Sequence, residues 1–253
     1  MGALHQGHLD LVEKSKNSCD ATLVSIFVNP TQFNNPEDFK KYPKTLDKDL
    51  EKLKSIGVDY VFVPSVEIMY PKATNLKVDF GDLERILEGE FRPGHFNGVG
   101  IVVSKLFHLI RPSVAFFGQK DLQQVAIIRR LVEDLSFPLE IEIVPTRRES
   151  DGLAMSSRNL RLNPIERKDA LILFNSLQKA KNKLFAGESW TQIKNEIILD
   201  FQNIPSAKLE YFELIHPDSF EKYQEFQFEG KSSICVAAFI GEIRLIDNLP
   251  IIP

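Results

Sequence analysis

The sequence contains few cysteines, and their positions exclude two classes of protein. Cys19 and Cys235 are the only two among 253 residues, they lie far apart, and neither belongs to a paired motif. Small disulfide-stabilised domains carry several cysteines at short spacings, and zinc ribbons carry them in pairs. The pattern therefore argues against both classes and fits a reducing compartment.

An excess of positive charge and long apolar runs are also missing. The chain has 31 Lys and Arg against 35 Asp and Glu, a formal net charge of −4, and a pI of about 5.8. A protein that binds nucleic acid usually carries a broad basic surface, which this composition does not predict, so anionic ligands must be held by a few placed cations. No apolar stretch reaches the length that spans a bilayer, and no signal-peptide pattern opens the chain. We therefore predict a cytoplasmic protein with neither a nucleic-acid nor a membrane partner.

Apolar runs alternate with amphipathic patterns in the first part of the chain. The predicted strands cover residues 21–28, 59–64, 77–80, 114–117 and 139–144. The predicted helices cover residues 9–18, 46–56, 83–87, 96–110 and 122–135. Continuous runs rich in β-branched residues are typical of parallel strands buried on both faces. The alternation predicts an α/β fold with a Rossmann-like doubly wound parallel sheet over residues 1–146.

The composition changes after Pro145. A polar stretch at 146–163 precedes two predicted helices, 164–185 and one capped by Ser189 that runs to 203. Alternating patterns at 207–216, 232–240 and 242–247 then predict antiparallel strands. We therefore predict a smaller C-terminal α+β domain over residues 147–253, with two helices and a three-stranded antiparallel sheet.

The first eight residues carry the most specific local pattern. His5 and His8 lie three apart among small residues, and an amphipathic run follows them. If a helix begins near Gly7, its first N–H groups and its dipole favour an anion, and the two imidazoles can donate to phosphate oxygens. This interpretation is a nucleotide-phosphate cradle of the HIGH type. The alternatives are two exposed polar residues or half of a zinc site.

Five stretches together resemble one family. They are Met1–His8, Phe27–Phe33, Arg92–Phe96, Phe117–Asp121 with Gln123 and Gln124, and Asp151–Asn159. Each alone is weak, but in this order and spacing the five are similar to the pantothenate synthetase (pantoate–β-alanine ligase) family of adenylate-forming nucleotidyltransferases. The resemblance covers the whole chain. It implies ATP-dependent condensation of pantoate with β-alanine to pantothenate, AMP and pyrophosphate through a pantoyl adenylate.

The resemblance also implies which residues bind and react. The catalytic residues would be His8, as proton donor to the leaving group, with His5, Lys120 and Arg158. Gln32 and Gln124 would bind pantoate, with Gln32 also near β-alanine. The ATP-binding residues would be Met1, Gly2, Ala3, Leu4, His5, Gln6, Gly7, His8, Gly118, Gln119, Lys120, Asp121, Arg147 (through its backbone), Met155, Ser156, Ser157 and Arg158. Mg²⁺ is expected with ATP, held by phosphate oxygens and water rather than by side-chain ligands, and the family suggests a homodimer.

Several of these residues have a purely structural alternative. Asp121 is placed to accept from ribose hydroxyls or to cap the helix that follows it, and both roles are compatible. Residues 156–158 would close over the β- and γ-phosphates or form a polar interdomain linker. Gln124 contacts pantoate or is a solvated helix residue. Asn29 either contacts the site or ends its strand, and we favour the second role. The polar loop 31–43 is predicted to be a mobile lid.

The sequence departs from the family pattern at its start. Family members carry about thirty residues before the first motif, the length of a βαβ unit, including a first strand. Here the motif begins at residue 1, so we expect that this strand is missing. Gln119 and Leu122 also replace the commoner Glu and Tyr. Two rival functions follow: another adenylyltransferase acting on a mononucleotide, and an inactive nucleotide-binding protein. A tRNA synthetase fragment is disfavoured by the lack of a basic module.

Overall fold

The computed structural model describes residues 1–33, 39–43, 45–226 and 229–252. These residues form two compact units, each with its own core. The first unit comprises Met1–Gln119 and Gln124–Pro145, and the second comprises Lys120–Gln123 and Thr146–Pro253. The short segment Lys120–Gln123 thus falls in the second unit, although the sequence pattern assigns it to the first domain.

The described residues of the first unit include two pairs of parallel strands. β1 (Leu23–Ser25) pairs with β2 (Tyr60–Phe62), and β3 (Val114–Gly118) pairs with β4 (Glu140–Val144). Parallel neighbours need a crossover connection, and helices occupy both connections, as the alternation of patterns predicts. Met1 lies beside the end of β1, since Phe27 N donates to Met1 O at 3.0 Å. The expectation that the family's first strand is missing stays a prediction.

Helices accompany these strands in the described part of the first unit, and the last of them begins in the segment assigned to the second unit. They are α1 (Gln6–Ser18), α2 (Leu46–Ser55), α3 (Val66–Met69), α4 (Glu88–Phe91), α5 (His95–Ile110) and α6 (Leu122–Asp134). The apolar faces of α5 and α6 meet in one core, which includes Val99, Val103, Ile127 and Leu131. A second cluster joins the first motif to α1, β1 and α2 through Leu4, Val12, Val24 and Leu53.

Three predictions for this unit are wrong. Residues 77–80 form no strand, because their backbone groups bond to side chains: Val78 N donates to Asn97 Oδ1, and Phe80 N donates to Glu84 Oε2. The helix predicted over 83–87 is replaced by a 3₁₀ turn, Gly81–Glu84, followed by α4. β2 is not buried on both faces, since Tyr60 is 62% exposed and β2 pairs with β1 alone among the described strands.

The second unit is α+β, as predicted. α7 (Pro164–Asp169), α8 (Leu171–Phe185) and α9 (Trp190–Gln202) accompany an antiparallel sheet of β5 (Ala207–Ile215), β6 (Ser232–Ile240) and β7 (Ile243–Ile252), in the order β5-β6-β7. The single helix predicted over 164–185 is interrupted at Ala170, where Leu173 N bonds to Ala170 O in a tighter 3₁₀ turn. The Trp190 and Phe212 rings stack in its core, 5.6 Å between centroids.

The predicted lid at 31–43 includes residues 34–38, which lie outside the described residues, so the lid stays a prediction. None of the helices in the described ranges is long and apolar enough to cross a membrane.

Candidate active site

A buried carboxylate holds the backbone of the first motif, Met1–His8, in place. Asp49, in α2, is 1% exposed and accepts the backbone N–H groups of Ala3 and Leu4, one on each oxygen and both at 2.8 Å. Thr45 Oγ1 adds a hydrogen bond to the same carboxylate at 3.2 Å and makes no side-chain cap bond to the helix. Ala3 adopts a left-handed φ of 50° in this loop. Any contact of Ala3 or Leu4 with ATP must therefore use atoms other than these two N–H groups.

Asp49 was not among the predicted site residues, although the sequence contains a signal for its burial. The residue lies four positions before the fully buried Leu53 on α2, so both share the face that packs inward. A charged residue on an apolar face needs buried hydrogen-bond partners, because an unpaired buried charge is costly. The partners are backbone amides from 45 and 46 residues away, which no local pattern indicates.

The two histidines occupy the start of α1 as the motif predicts. His5 is the N-cap residue, α1 begins at Gln6, and the two rings are 4.0 Å apart between centroids. The backbone N–H of His5 donates to Nδ1 of His8 at 3.3 Å. Because a backbone N–H can only donate, Nδ1 of a neutral His8 is the acceptor and its proton resides on Nε2. The arrangement thus makes Nε2 of His8 a hydrogen-bond donor beside a helix N-terminus.

Gln32 ends a short 3₁₀ turn, Pro30–Gln32, that follows β1. Asn29 builds this turn: it is buried, and its Oδ1 accepts from Thr31 N at 3.3 Å, Thr31 Oγ1 at 3.0 Å and the Tyr70 hydroxyl at 2.9 Å. Burial is the largest effect on the Tyr70 phenol, and it raises the pKa of that group. Asn29 therefore does more than end its strand.

Gln124 lies in the first turn of α6, after the end of β3. It is half-buried, and its neighbour Gln123 is buried. Gln32 and Gln124 thus each follow the carboxyl end of a parallel strand in the first unit. Ligands of open α/β sheets bind at such strand ends.

Lys120 belongs to a 3₁₀ turn, Gln119–Asp121, and its backbone is anchored within the second unit. Asn248 Nδ2 donates to the Lys120 carbonyl oxygen at 2.9 Å. The adjacent Asp247 side chain is 2% exposed and accepts from Arg148 at 2.6 and 3.0 Å. Burial raises the pKa of Asp247, whereas the positive charges of Arg148 and Lys120 lower it. Asp121 itself is exposed.

The segment from Arg147 to Arg158 folds as a tight hairpin followed by a 3₁₀ turn rather than as an extended linker. Met155 N donates to Arg147 O at 2.9 Å, and the 3₁₀ turn begins at Ser157, which is 6% exposed. Ser156 caps this turn by accepting from Arg158 N at 3.3 Å. The hairpin therefore fixes the position at which residues 156–158 begin.

This segment contains a glycine that has no room for a side chain, and a buried polar oxygen lies in the residue on either side of the segment. Gly152 has a φ of 97°, and a Cβ there would overlap the Phe174 ring, over which the Arg148 guanidinium lies at 4.8 Å. Oγ1 of Thr146 and Oδ1 of Asn159 are buried without a hydrogen-bond partner in the part of the chain that the structure describes. Buried polar atoms of this kind require an explanation, and a bound ligand is one.

The predicted site residues are thus divided between the two units. Residues 1–8, Gln32, Gly118, Gln119 and Gln124 belong to the first, and Lys120, Asp121, Arg147 and 155–158 belong to the second. Within the described ranges, no three His, Cys, Asp or Glu side chains are grouped so that they could hold a metal ion.

The chain is similar to known proteins along nearly all its length. The family model described as pantoate-beta-alanine ligase matches residues 1–250. Pantothenate synthetase from Leptospira biflexa is 49% identical over 250 residues, covering 98% of this chain and 88% of the relative. That from Thermoanaerobacter sp. X514 is 51% identical over 253 residues, with the same coverage.

Solved structures of two family members are also similar to this chain. Pantothenate synthetase from Thermus thermophilus superimposes with a TM-score of 0.94 at 41% identity, covering 100% of this chain and 91% of that one. The Francisella tularensis pantoate-beta-alanine ligase, solved with beta-gamma ATP and beta-alanine, gives a TM-score of 0.82 at 37% identity, covering 99% and 87%. These matches confirm the predicted fold class and family. The chain belongs to the pantoate–β-alanine ligase family.

Proposed function

We propose that this protein makes pantothenate from pantoate, β-alanine and ATP in two chemical steps. A pantoate carboxylate oxygen first attacks the α-phosphorus of ATP, the bond to the β-phosphate breaks, and pyrophosphate leaves. The β-alanine amine then attacks the acyl carbon of the pantoyl adenylate, loses a proton, and displaces AMP. Activation is needed because a free carboxylate would have to expel oxide. The observation that carries the proposal is the helix N-terminus at His5 and His8, in a chain whose whole length matches this family.

His8 has the clearest role in the first step. The N-terminus of α1 carries a partial positive charge, which favours the triphosphate. The Nε2–H that the His5 backbone imposes on His8 would donate to a phosphate oxygen as charge moves onto the leaving pyrophosphate. The remaining residues of Met1–His8 shape the backbone that faces the nucleotide.

Lys120, Ser156, Ser157 and Arg158 would supply the remaining charge and hydrogen bonds to the phosphates. Two anions must approach in this reaction, so placed cations lower the barrier more than any proton transfer does. The bond from Asn248 holds the Lys120 carbonyl and so fixes the backbone from which the side chain projects. Asp121 would accept from ribose hydroxyls, and the Arg147 backbone would meet adenine.

Gln32 and Gln124 would bind pantoate. A neutral amide bonds both hydroxyl and carboxylate oxygens without the strong stabilisation that a cation would give the nucleophile. The position of each glutamine after a parallel strand supports this role. Mg²⁺ enters with ATP as the substrate complex, held mainly by phosphate oxygens and water. We further propose a cytoplasmic homodimer.

A substrate panel tests the proposal against both rival functions. The protein is incubated with Mg²⁺, ATP and either pantoate with β-alanine or a mononucleotide, and AMP, pyrophosphate and the condensed product are quantified. We expect equal amounts of pantothenate, AMP and pyrophosphate. Adenylylation of the mononucleotide would identify the related adenylyltransferase. ATP binding by calorimetry without turnover on any acceptor would identify an inactive nucleotide-binding protein.

A further inference from the structure

The motif Arg92–Phe96 has no role in the chemistry described so far. It forms the turn between α4 and α5, and His95 is the first residue of α5. His95 is 8% exposed, and its backbone N–H bonds to Arg92 O at 3.0 Å. A buried histidine and a half-buried arginine three residues apart must have polar partners, because unpaired buried polar groups are costly.

Both side chains contact the same atom, the backbone carbonyl oxygen of Gln32. His95 Nδ1 lies 2.9 Å from this oxygen, and Arg92 Nη2 donates to it at 3.2 Å. A carbonyl oxygen can only accept, so His95 must carry a proton on Nδ1. Gln32 is 60 and 63 residues away along the chain. Two donors on one carbonyl fix the orientation of that peptide group.

The other side of the same turn is held by α5. Asn29 Nδ2 donates to Gly98 O at 3.3 Å, and Gln32 N donates to Asn29 O at 3.2 Å. A Cβ at Gly98 would overlap the Thr31 carbonyl, so only glycine permits this close approach. The turn therefore packs directly on α5.

We propose that Arg92 and His95 are positioning residues that hold Gln32 in the orientation that binds pantoate. The inference rests on the role of Gln32 under the proposed function. The carbonyl orientation sets the backbone torsion of Gln32, from which its side chain projects. Without the two donors the peptide group can rotate, and the amide spends less time facing pantoate. The effect should appear in pantoate affinity and leave ATP affinity unchanged.

Two substitutions of His95 separate this role from direct contact with a ligand. The side-chain nitrogen of asparagine falls near the position of imidazole Nδ1, whereas that of glutamine reaches the position of Nε2. We expect H95N to keep the pantoate KM within about twofold and H95Q to raise it about tenfold, the scale of one lost hydrogen bond. The kcat and the ATP KM should stay near their original values. H108Q is the matched control, because exposed His108, also on α5, bonds to Ser104 O through Nδ1.

The opposite ranking, with H95Q active and H95N impaired, would overturn the proposal and assign His95 Nε2 to a ligand. A double variant tests the route: in a Q32A background, H95Q should raise the pantoate KM no further, and an additional tenfold rise would contradict the mechanism. If Q32A alone leaves the pantoate KM unchanged, the proposed role of Gln32 fails, and this inference fails with it. If Q32A is impaired while H95Q is not, only the positioning role fails.

One measurement needs no variant that might misfold. A long-range ¹H–¹⁵N correlation spectrum of the histidine-labelled protein, recorded at a pH where the ring is neutral, distinguishes protonated from unprotonated ring nitrogens. We expect His95 to be the Nδ1–H tautomer. The Nε2–H tautomer would refute the hydrogen bond to Gln32 and with it the proposal.

Discussion

Removal of the Asp49 carboxylate should destabilise the backbone of the first motif, Met1–His8. Asp49→Ala leaves the backbone N–H groups of Ala3 and Leu4 buried without their acceptor, since both bonds measure 2.8 Å and Asp49 is 1% exposed. The left-handed φ of 50° at Ala3 would also lose the bond that compensates for it. The loop that carries His5 would then sample other conformations.

The magnitude follows from the number of bonds lost. Each buried donor left unsatisfied costs about 1–3 kcal/mol, so two donors predict a loss of roughly 2–6 kcal/mol in the free energy of unfolding. The desolvation that the carboxylate no longer suffers offsets part of this cost. Asp49→Asn keeps the shape and one acceptor oxygen, so we expect about half the loss. The Michaelis constant for ATP should rise in both variants, more in the alanine variant.

Urea unfolding followed by circular dichroism measures the stability of each variant, with the first unit allowed its own transition. Asp47→Asn is the matched control, because Asp47 lies on the same helix but is exposed. It should cost about 0.3–1 kcal/mol, through the helix dipole alone. If Asp49→Ala proves no more destabilising than this control, the proposed role of Asp49 in holding the loop is wrong.

Three further predictions concern the second unit. Lys120→Ala should lower kcat about a hundredfold, or roughly 3 kcal/mol, with little change in pantoate KM, and an unchanged rate at saturating ATP would contradict its role. Gly152→Ala should destabilise the protein by about 1–3 kcal/mol in thermal unfolding, because a Cβ would overlap the Phe174 ring and φ is 97°. The hydrogen bond from Arg167 lowers the pKa of Asp151 below its usual value, so this pair stabilises the fold above the unfolded-state pKa and loses its effect as pH falls through the lowered pKa. Arg167→Gln should raise the Asp151 titration midpoint in a carboxyl NMR titration, and an unmoved midpoint would refute the assignment.

Elements with a long and regular apolar pattern were predictable from the sequence. The helix predicted over 96–110 is observed as His95–Ile110, and the strand predicted over 232–240 is observed over the same residues. Both contain many buried apolar residues, so local pattern and tertiary packing agree. The break at Ala170 was not predictable, because the flanking residues continue a helical pattern across it.

In the candidate site, too, local patterns were predictable and contacts between distant residues were not. Short motifs with a strong resemblance indicated His5, His8 and Gln32 as candidate site residues, since the spacing within each motif is local. The groups that hold them were not predictable: Asp49 reaches its partners over 45 and 46 residues, and Asn248 reaches Lys120 over 128. A hydrogen bond between such distant residues depends on the packed structure, and no spacing rule in one sequence encodes it.

Exchange of labelled pyrophosphate into ATP tests the two-step reaction most directly. We predict exchange that requires pantoate and Mg²⁺ but not β-alanine, since only the first step is being reversed. Gln124→Ala should reduce it through weaker pantoate binding, and His8→Ala should reduce it even at saturating pantoate. Exchange that appears only after β-alanine is added would contradict the pantoyl-adenylate intermediate.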